Sequence, residues 1–369
     1  MECIRILHMI GSLGIGGSQA MVMNIYRNIE REKIQFDFIV DSSNEQYFAD
    51  EIKQLGGKIY SMPKFKGTNL LEIKKKWNRF FIEHPEYKIL HSHVRSYASI
   101  YLPIAKKHGV KTIIHSHSTS NGCGMSALMK AVLQYPLRYQ ADYFFGCSKK
   151  SGEWLFGKKV INSNKFLVIK NGIDIDRFIF NFDKRNSIRK RLCISNSTFV
   201  VGHVGRFNEA KNHDFLIEIF AELNKKYRDT KLLLVGNGEL EEHIKKKCKE
   251  CFVEDDVIFV GAQSNTEDYY SAMDVFCFPS LWEGLGIVAI EAQISGLKCI
   301  VSKQIPDEVD LGLGLVTKLD LNCNIQEWIY KLYSNTKCNR NVNREIIKKS
   351  GYDIIESSDT MQKFYLSIG

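Results

Sequence analysis

Short β-branched apolar runs alternate with longer segments of helical period along nearly the whole chain. In the first half, apolar runs at 5–10, 35–40, 58–61, 89–91, 111–115 and 143–147 read as strands. Between them, 18–30, 70–83 and 96–108 repeat apolar residues three and four apart, the period of a helix with one buried face. The second half repeats the scheme. Strands are predicted at 199–204, 231–235, 257–260, 275–278 and 298–301, and helices at 213–226, 240–251, 266–272 and 287–295. Strands that alternate with helices imply parallel sheets covered on both faces. The rhythm breaks near Val168-Ile169-Lys170-Asn171-Gly172-Ile173-Asp174, where a strand ends in a turn and a polar, basic helix follows around 183–191. The expected fold class is α/β. It comprises two Rossmann-like, doubly wound domains facing a central cleft, residues 1–178 and 179–351, with a C-terminal helix within 352–369 packing back on the first. Sites in such folds lie at the carboxyl ends of strands and at domain interfaces.

Composition changes this picture in two places. The 44% hydrophobic and 11% aromatic content excludes disorder as the dominant state. No apolar run approaches the ~20 residues that span a bilayer, and Met1-Glu2-Cys3-Ile4-Arg5 lacks the start of a secretory signal. The ten cysteines sit mostly singly in apolar segments, as free thiols in a reducing cytosol do. Cys248 and Cys251 form a CxxC, but within a Lys- and Glu-rich helical stretch and without a second pair, so they read as a helix face. Charge is more specific. The net of +9 lies entirely in the first half, where residues 1–181 hold 26 Lys and Arg against 15 Asp and Glu. That asymmetry points to an anionic partner of the first half, nucleic acid or a membrane surface. No nucleic-acid-binding motif accompanies it, so a membrane surface is the expected partner.

Two segments carry candidate chemistry. In Pro279-Ser280-Leu281-Trp282-Glu283-Gly284-Leu285-Gly286 a strand ends, a glycine-bearing loop follows, and a helix begins that contains Glu291. Free amides and the positive helix end suit a phosphate there, and the two carboxylates suit sugar hydroxyls. In Val204-Gly205-Arg206-Phe207-Asn208-Glu209-Ala210-Lys211-Asn212 two cations five residues apart can converge on one anion.

Together these motifs resemble the retaining sugar-nucleotide glycosyltransferases of family 4, with their two-domain GT-B fold. Gly16-Gly17-Ser18-Gln19, Asn171-Gly172-Ile173-Asp174 and Val235-Gly236-Asn237-Gly238 match that family's loops, with Gln19 where Glu is common. His91-Ser92-His93 and His115-Ser116-His117 resemble its capsule and exopolysaccharide branch. The resemblance implies roles. Arg206 and Lys211 hold the donor diphosphate, Glu291 the ribose, and Glu283 the donor sugar. The amides of Gly284, Leu285 and Gly286 line the sugar and phosphates, beside the strand end at Gly236. Gly16 and Gly17 approach the diphosphate from the first domain. His115 or His117 points towards the sugar. The implied donor is a UDP-hexose or UDP-N-acetylhexosamine, the implied acceptor a lipid-linked saccharide, and the implied location cytoplasmic, peripheral on the inner face of the plasma membrane. No cofactor or metal is expected, because the Asp174-Ile175-Asp176 pair lies in the interdomain turn. Two rivals share the architecture. A UDP-sugar epimerase would release no glycoside, and a non-catalytic sugar-nucleotide-binding protein would lack some of the four charged residues. A dinucleotide oxidoreductase is disfavoured, since Gln19 occupies the last glycine of G-x-G-x-x-G.

Overall fold

The computed structural model describes residues 3–14, 16–41, 46–121, 124–334 and 340–369. Ile15 of the first glycine-rich turn and two of the ten cysteines, Cys123 and Cys338, lie outside the described residues. The chain forms two compact units, Met1–Ile173 with Gly351–Gly369, and Asp174–Ser350.

The first unit is built on β1 (Ile4–Gly11), β2 (Ile34–Val40), β3 (Ile59–Ser61), β4 (Ile89–Ser92), β5 (Lys111–Ser116), β6 (Tyr143–Gly146) and β7 (Phe166–Val168). They pair in the order β3-β2-β1-β4-β5-β6-β7, every neighbour parallel. Alternate residues of β1 feed opposite cores. Leu7 and Met9 pack with Trp77, Phe80 and Tyr101 on one face, and Ile6 and Ile10 with Ile25 and Tyr26 on the other. The second core is completed from the far end of the chain, by Met361, Tyr365 and Ile368 of the helix Ile354–Ile368. A short parallel bridge tethers that helix. Ile173 N–H donates to Tyr352 O at 2.7 Å and Ile354 N–H to Ile173 O at 3.1 Å. Gly172 permits the approach, since a Cβ there would stand 2.8 Å from the Ile354 Cα.

The second unit holds β8 (Phe199–Val204), β9 (Thr230–Val235), β10 (Val257–Phe259), β11 (Val275–Phe278), β12 (Lys298–Ser302) and β13 (Val316–Leu319), in the order β10-β9-β8-β11-β12-β13, again all parallel. Its core gathers Phe220, Leu232, Ile244 and Trp328. β13 and the helix Ile325–Tyr333 were not read from the sequence; β13 is a half-buried edge strand whose Val-Thr-Lys-Leu carries little apolar signal. Asp174 accepts from the Arg177 N–H and caps the short helix Ile175–Phe178, while Asp176 pairs with Arg344 at 2.7 Å, so Asp-x-Asp serves a turn. Cys248 is buried and Cys251 half-buried, and the eight described cysteines are free thiols.

The basic helix Phe182–Arg191 is not merely a solvated stripe. Arg185 and Arg189 both reach the Asp274 carboxylate at 2.6 Å, and the buried Arg189 also donates to the carbonyls of Ala272 and Thr198. Asp274 in turn accepts from the Val200 N–H at 2.7 Å, which binds this helix to the start of β8 and the entry to β11. Removing the carboxylate leaves a buried guanidinium without its counter-ion. Asp274→Ala is expected to cost about 3–5 kcal/mol, read as a lowered denaturant midpoint; a change within ±0.5 kcal/mol, as at an ordinary surface position, would show that the pair carries no weight.

Candidate functional site

Both sheets have a point where the strand order reverses, between β1 and β4 in one and between β8 and β11 in the other. Loops leaving adjacent strands there depart in opposite directions and leave a crevice, the usual ligand position in doubly wound folds.

In the second unit the loops leaving β8, β9 and β11 are knitted to one another by backbone. Gly205 N–H donates to Val235 O at 3.0 Å, Phe207 N–H to Asn237 O at 2.8 Å and Leu281 N–H to Ala210 O at 2.8 Å. Gly236, at φ +145°, crosses so close that a Cβ would fall 1.9 Å from the Gly205 carbonyl oxygen. Asn212 adopts the left-handed conformation at φ +55° and donates its side-chain amide to Pro279 O at 3.1 Å.

This framework positions the charged residues. Lys211 ends a single 3-10 turn, Glu209–Lys211, and its ammonium lies 2.5 Å from the Glu283 carboxylate and over the Phe278 ring, 4.8 Å from its centroid. Both partners are largely withdrawn from water, with side-chain exposures of 14% and 13%. Arg206 stands apart. It is exposed and holds Glu239 at 3.3 Å, so the two cations do not converge on one group. Gly284, Leu285 and Gly286 are buried, and Gly286, at φ +91°, turns the chain into the helix Ile287–Ile294. Glu291, five residues into that helix, accepts from the Tyr270 hydroxyl at 2.8 Å. Burial pushes its carboxyl up to about 7, only partly offset by the Tyr270 hydrogen bond.

In the first unit Gly16 caps the helix Gly17–Asn28 in extended conformation. A Cβ on Gly17 would meet no protein atom within 4 Å, and one on Gly16 would meet only the Gln19 side chain. The two His-Ser-His motifs end β4 and β5, and with His8 of β1 they form a five-imidazole cluster. His8 Nδ1 lies 3.0 Å from His93 Nε2, His93 Nδ1 lies 2.9 Å from His117 Nε2, and His91 Nδ1 lies 2.6 Å from the Tyr365 hydroxyl. Burial holds the rings neutral at pH 7, with His8 and His117 lowered to about 3. The two candidates left open above differ in burial. His115 is wholly buried, so it cannot touch a ligand outside the cluster, whereas His117, just past the end of β5, keeps partial exposure.

Sequence reading did not find Tyr270, Phe278, Glu239 or His8. Phe278 and Tyr270 carry only the apolar signal of a strand and a helix, and His8 sits inside the apolar run of β1 with no spacing to mark it.

Residues 15–177 match the family Glycosyltransferase Family 4, and residues 184–310 match Glycosyl transferases group 1. A protein of Bacillus subtilis (strain 168) named glycosyltransferase EpsF is 31% identical over 98% of this chain and 96% of its own length. The Escherichia coli UDP-Gal:alpha-D-GlcNAc-diphosphoundecaprenol alpha-1,3-galactosyltransferase is 23% identical over 78% of this chain and 77% of its own. Among solved structures, Anabaena HepE in complex with UDP-glucose superposes with a TM-score of 0.79 at 18% identity, covering 98% of this chain and 99% of that one. The chain therefore belongs to glycosyltransferase family 4 and is a glycosyltransferase of the GT-B fold.

Proposed function

We propose that this glycosyltransferase moves a hexose or N-acetylhexosamine from a UDP-sugar to a lipid-linked saccharide, with retention of anomeric configuration, in surface polysaccharide assembly. The observation that carries the donor reading is the pairing of Lys211 with Glu283 beside the Gly284–Gly286 turn at the switch point of the second sheet. A cation, a carboxylate and a helix start meet there, and each matches one part of a nucleotide sugar: diphosphate, sugar hydroxyls and phosphate oxygens. The names of EpsF, of the E. coli galactosyltransferase and of HepE with its UDP-glucose support the same reading.

The chemistry follows from the leaving group. As the bond to the anomeric carbon breaks, negative charge grows on the diphosphate. Lys211 exchanges its bond to Glu283 for the phosphate oxygens, and Arg206, free to swing at the surface, adds a second cation. Both cations stabilise the departing anion more than the ground state, Lys211 from a position set by the fold. Glu283, released from Lys211, accepts from hydroxyls of the sugar, and Glu291 accepts from the ribose. Attack comes on the leaving-group side, with a phosphate oxygen taking the acceptor's proton.

The first unit meets the acceptor's membrane. Among the described residues no helix is long and apolar enough to cross a bilayer. The helix Gly124–Gln134 nevertheless exposes Met125, Leu128, Met129 and Val132 at three- and four-residue spacing, continued by Tyr135 and Tyr139. Lys74, Lys75 and Lys76 are exposed on the same unit, whereas Lys106 and Lys158 already have Asp142 and Glu153 as partners. An exposed apolar helix stripe on a unit that also exposes lysines suits the interface of an anionic membrane.

Three outcomes are expected. A thermal-shift panel of UDP, GDP and ADP with their sugar conjugates should stabilise the protein with the uridine series alone, and Glu291→Ala should abolish the shift. Stabilisation by another nucleotide, or by UDP equally in the variant, would refute the donor assignment. UDP-glucose carries no phosphate proton that titrates near neutrality, so its affinity reports Glu291. The folded carboxyl titrates near 7 and the carboxylate is the better acceptor. Binding should therefore weaken by up to about tenfold from pH 8 to pH 6 and be flat in Glu291→Gln; a flat wild-type profile would remove Glu291 from the ribose. Sedimentation with anionic vesicles should be salt-sensitive and lost in Leu128→Asp/Val132→Asp, and equal binding to neutral vesicles would exclude the lysines from the contact.

A further inference from the structure

The histidine cluster of the first unit has more coordinating capacity than hydrogen-bond partners. His115 is fully buried on β5, and neither of its ring nitrogens has a hydrogen-bond partner. His8 Nε2 and His91 Nε2 are likewise buried and unpaired. Buried polar atoms are rarely left in this state, and the gap lined by His8, His91, His93 and His115 is too small to admit a water molecule that would satisfy them. One nitrogen each from His93, His115 and His117 lies within 4.8 Å of the others.

We propose that His93, His115 and His117 bind one divalent transition-metal ion of the zinc class. Three imidazoles with no carboxylate favour zinc, copper or nickel over magnesium or calcium, which take oxygen ligands. An ion held by nitrogens at 2.0–2.1 Å in a tetrahedron spaces them by about 3.3 Å. His93 Nδ1 and His117 Nε2 stand at 2.9 Å and the three nitrogens lie within 4.8 Å of one another, so a parting of a few tenths of an ångström at that pair and an approach of His115 by up to about 1.5 Å seat the ion.

The surroundings fit a metal site in two further ways. A ligating histidine usually has its second ring nitrogen held by an outer partner, which fixes the tautomer and the ring. With Nδ1 of His93 on the metal, its Nε2–H donates to His8 Nδ1 at 3.0 Å. Behind them, His91 is held by the Tyr365 hydroxyl. In addition, the partly exposed His117 leaves a way in for the ion and a fourth position open to a water or to an oxygen of a bound substrate. This inference stands on the first unit alone and does not depend on which sugar or nucleotide the enzyme uses.

The test uses the full chain, stripped with chelator and titrated with zinc chloride against a competing indicator, then with cobalt(II) for its visible absorption. The expected result is one ion per chain, with nitrogen-type cobalt bands and no thiolate charge-transfer band. His117→Ala should weaken binding by at least tenfold. His8→Asn, which alters only the outer partner, should weaken it by about ten- to a hundredfold. Cys251→Ser should leave it unchanged. Circular dichroism and the melting profile identify any variant that fails to fold, and the partly exposed His117 provides a test that leaves the core intact. Absence of zinc binding, or binding that His117→Ala leaves undiminished, would overturn the site and leave the cluster as a chain of neutral, hydrogen-bonded rings.

Discussion

No side chain fits where the loop after β9 crosses the carbonyl of Gly205, and the charged site of the second unit depends on that crossing. With glycine at 236 the three loops leaving β8, β9 and β11 share backbone hydrogen bonds and behave as one surface. Lys211 and Glu283, far apart in sequence, then meet in a half-buried pair. The parallel sheet makes this possible, because every strand delivers its following loop to the same edge. The same logic in the first unit gathers histidines from β1, β4 and β5 into one cluster.

The half-buried pair also explains how a charged site survives without ligand. An isolated ammonium at 14% exposure would carry a substantial desolvation cost. Glu283 and the face of Phe278 offset that cost. Arg206 has no such shelter and stays in water, where its pairing with Glu239 is worth little. The two cations are therefore unequal: one is set in place by the fold, and the other stands in water.

Much of the fold was legible because its signals are local. The helices Leu70–Glu83, His213–Lys226 and Thr266–Ala272 and the strands β8 and β11 coincide with their predicted bounds, since each has a strong apolar period and a clear break at either end. Illegible elements lack one or the other. The helix Lys149–Phe156 opens on two lysines, and its start is set by a capping box between Ser148 and Ser151. Within the site, loop chemistry and spacing marked Lys211, Glu283 and Glu291. The residues that tune them, Tyr270 and Phe278, act through packing that no spacing records. Arg189 looked like one cation among several, and only the fold shows that it is buried against Asp274.

The first unit takes its last core residues, Met361, Tyr365 and Ile368, from the end of the chain. That arrangement inverts the usual order of synthesis, in which the leading domain folds first. When residue 173 leaves the ribosome the leading sheet still lacks one side of its apolar cover, and it keeps that open face until the whole second unit has been made. The second unit, contiguous from 174 to 350, has everything it needs earlier. A nascent chain of this enzyme thus carries a finished second unit and an unfinished first one, and residues 361–368 must be made before the core of the first unit can close.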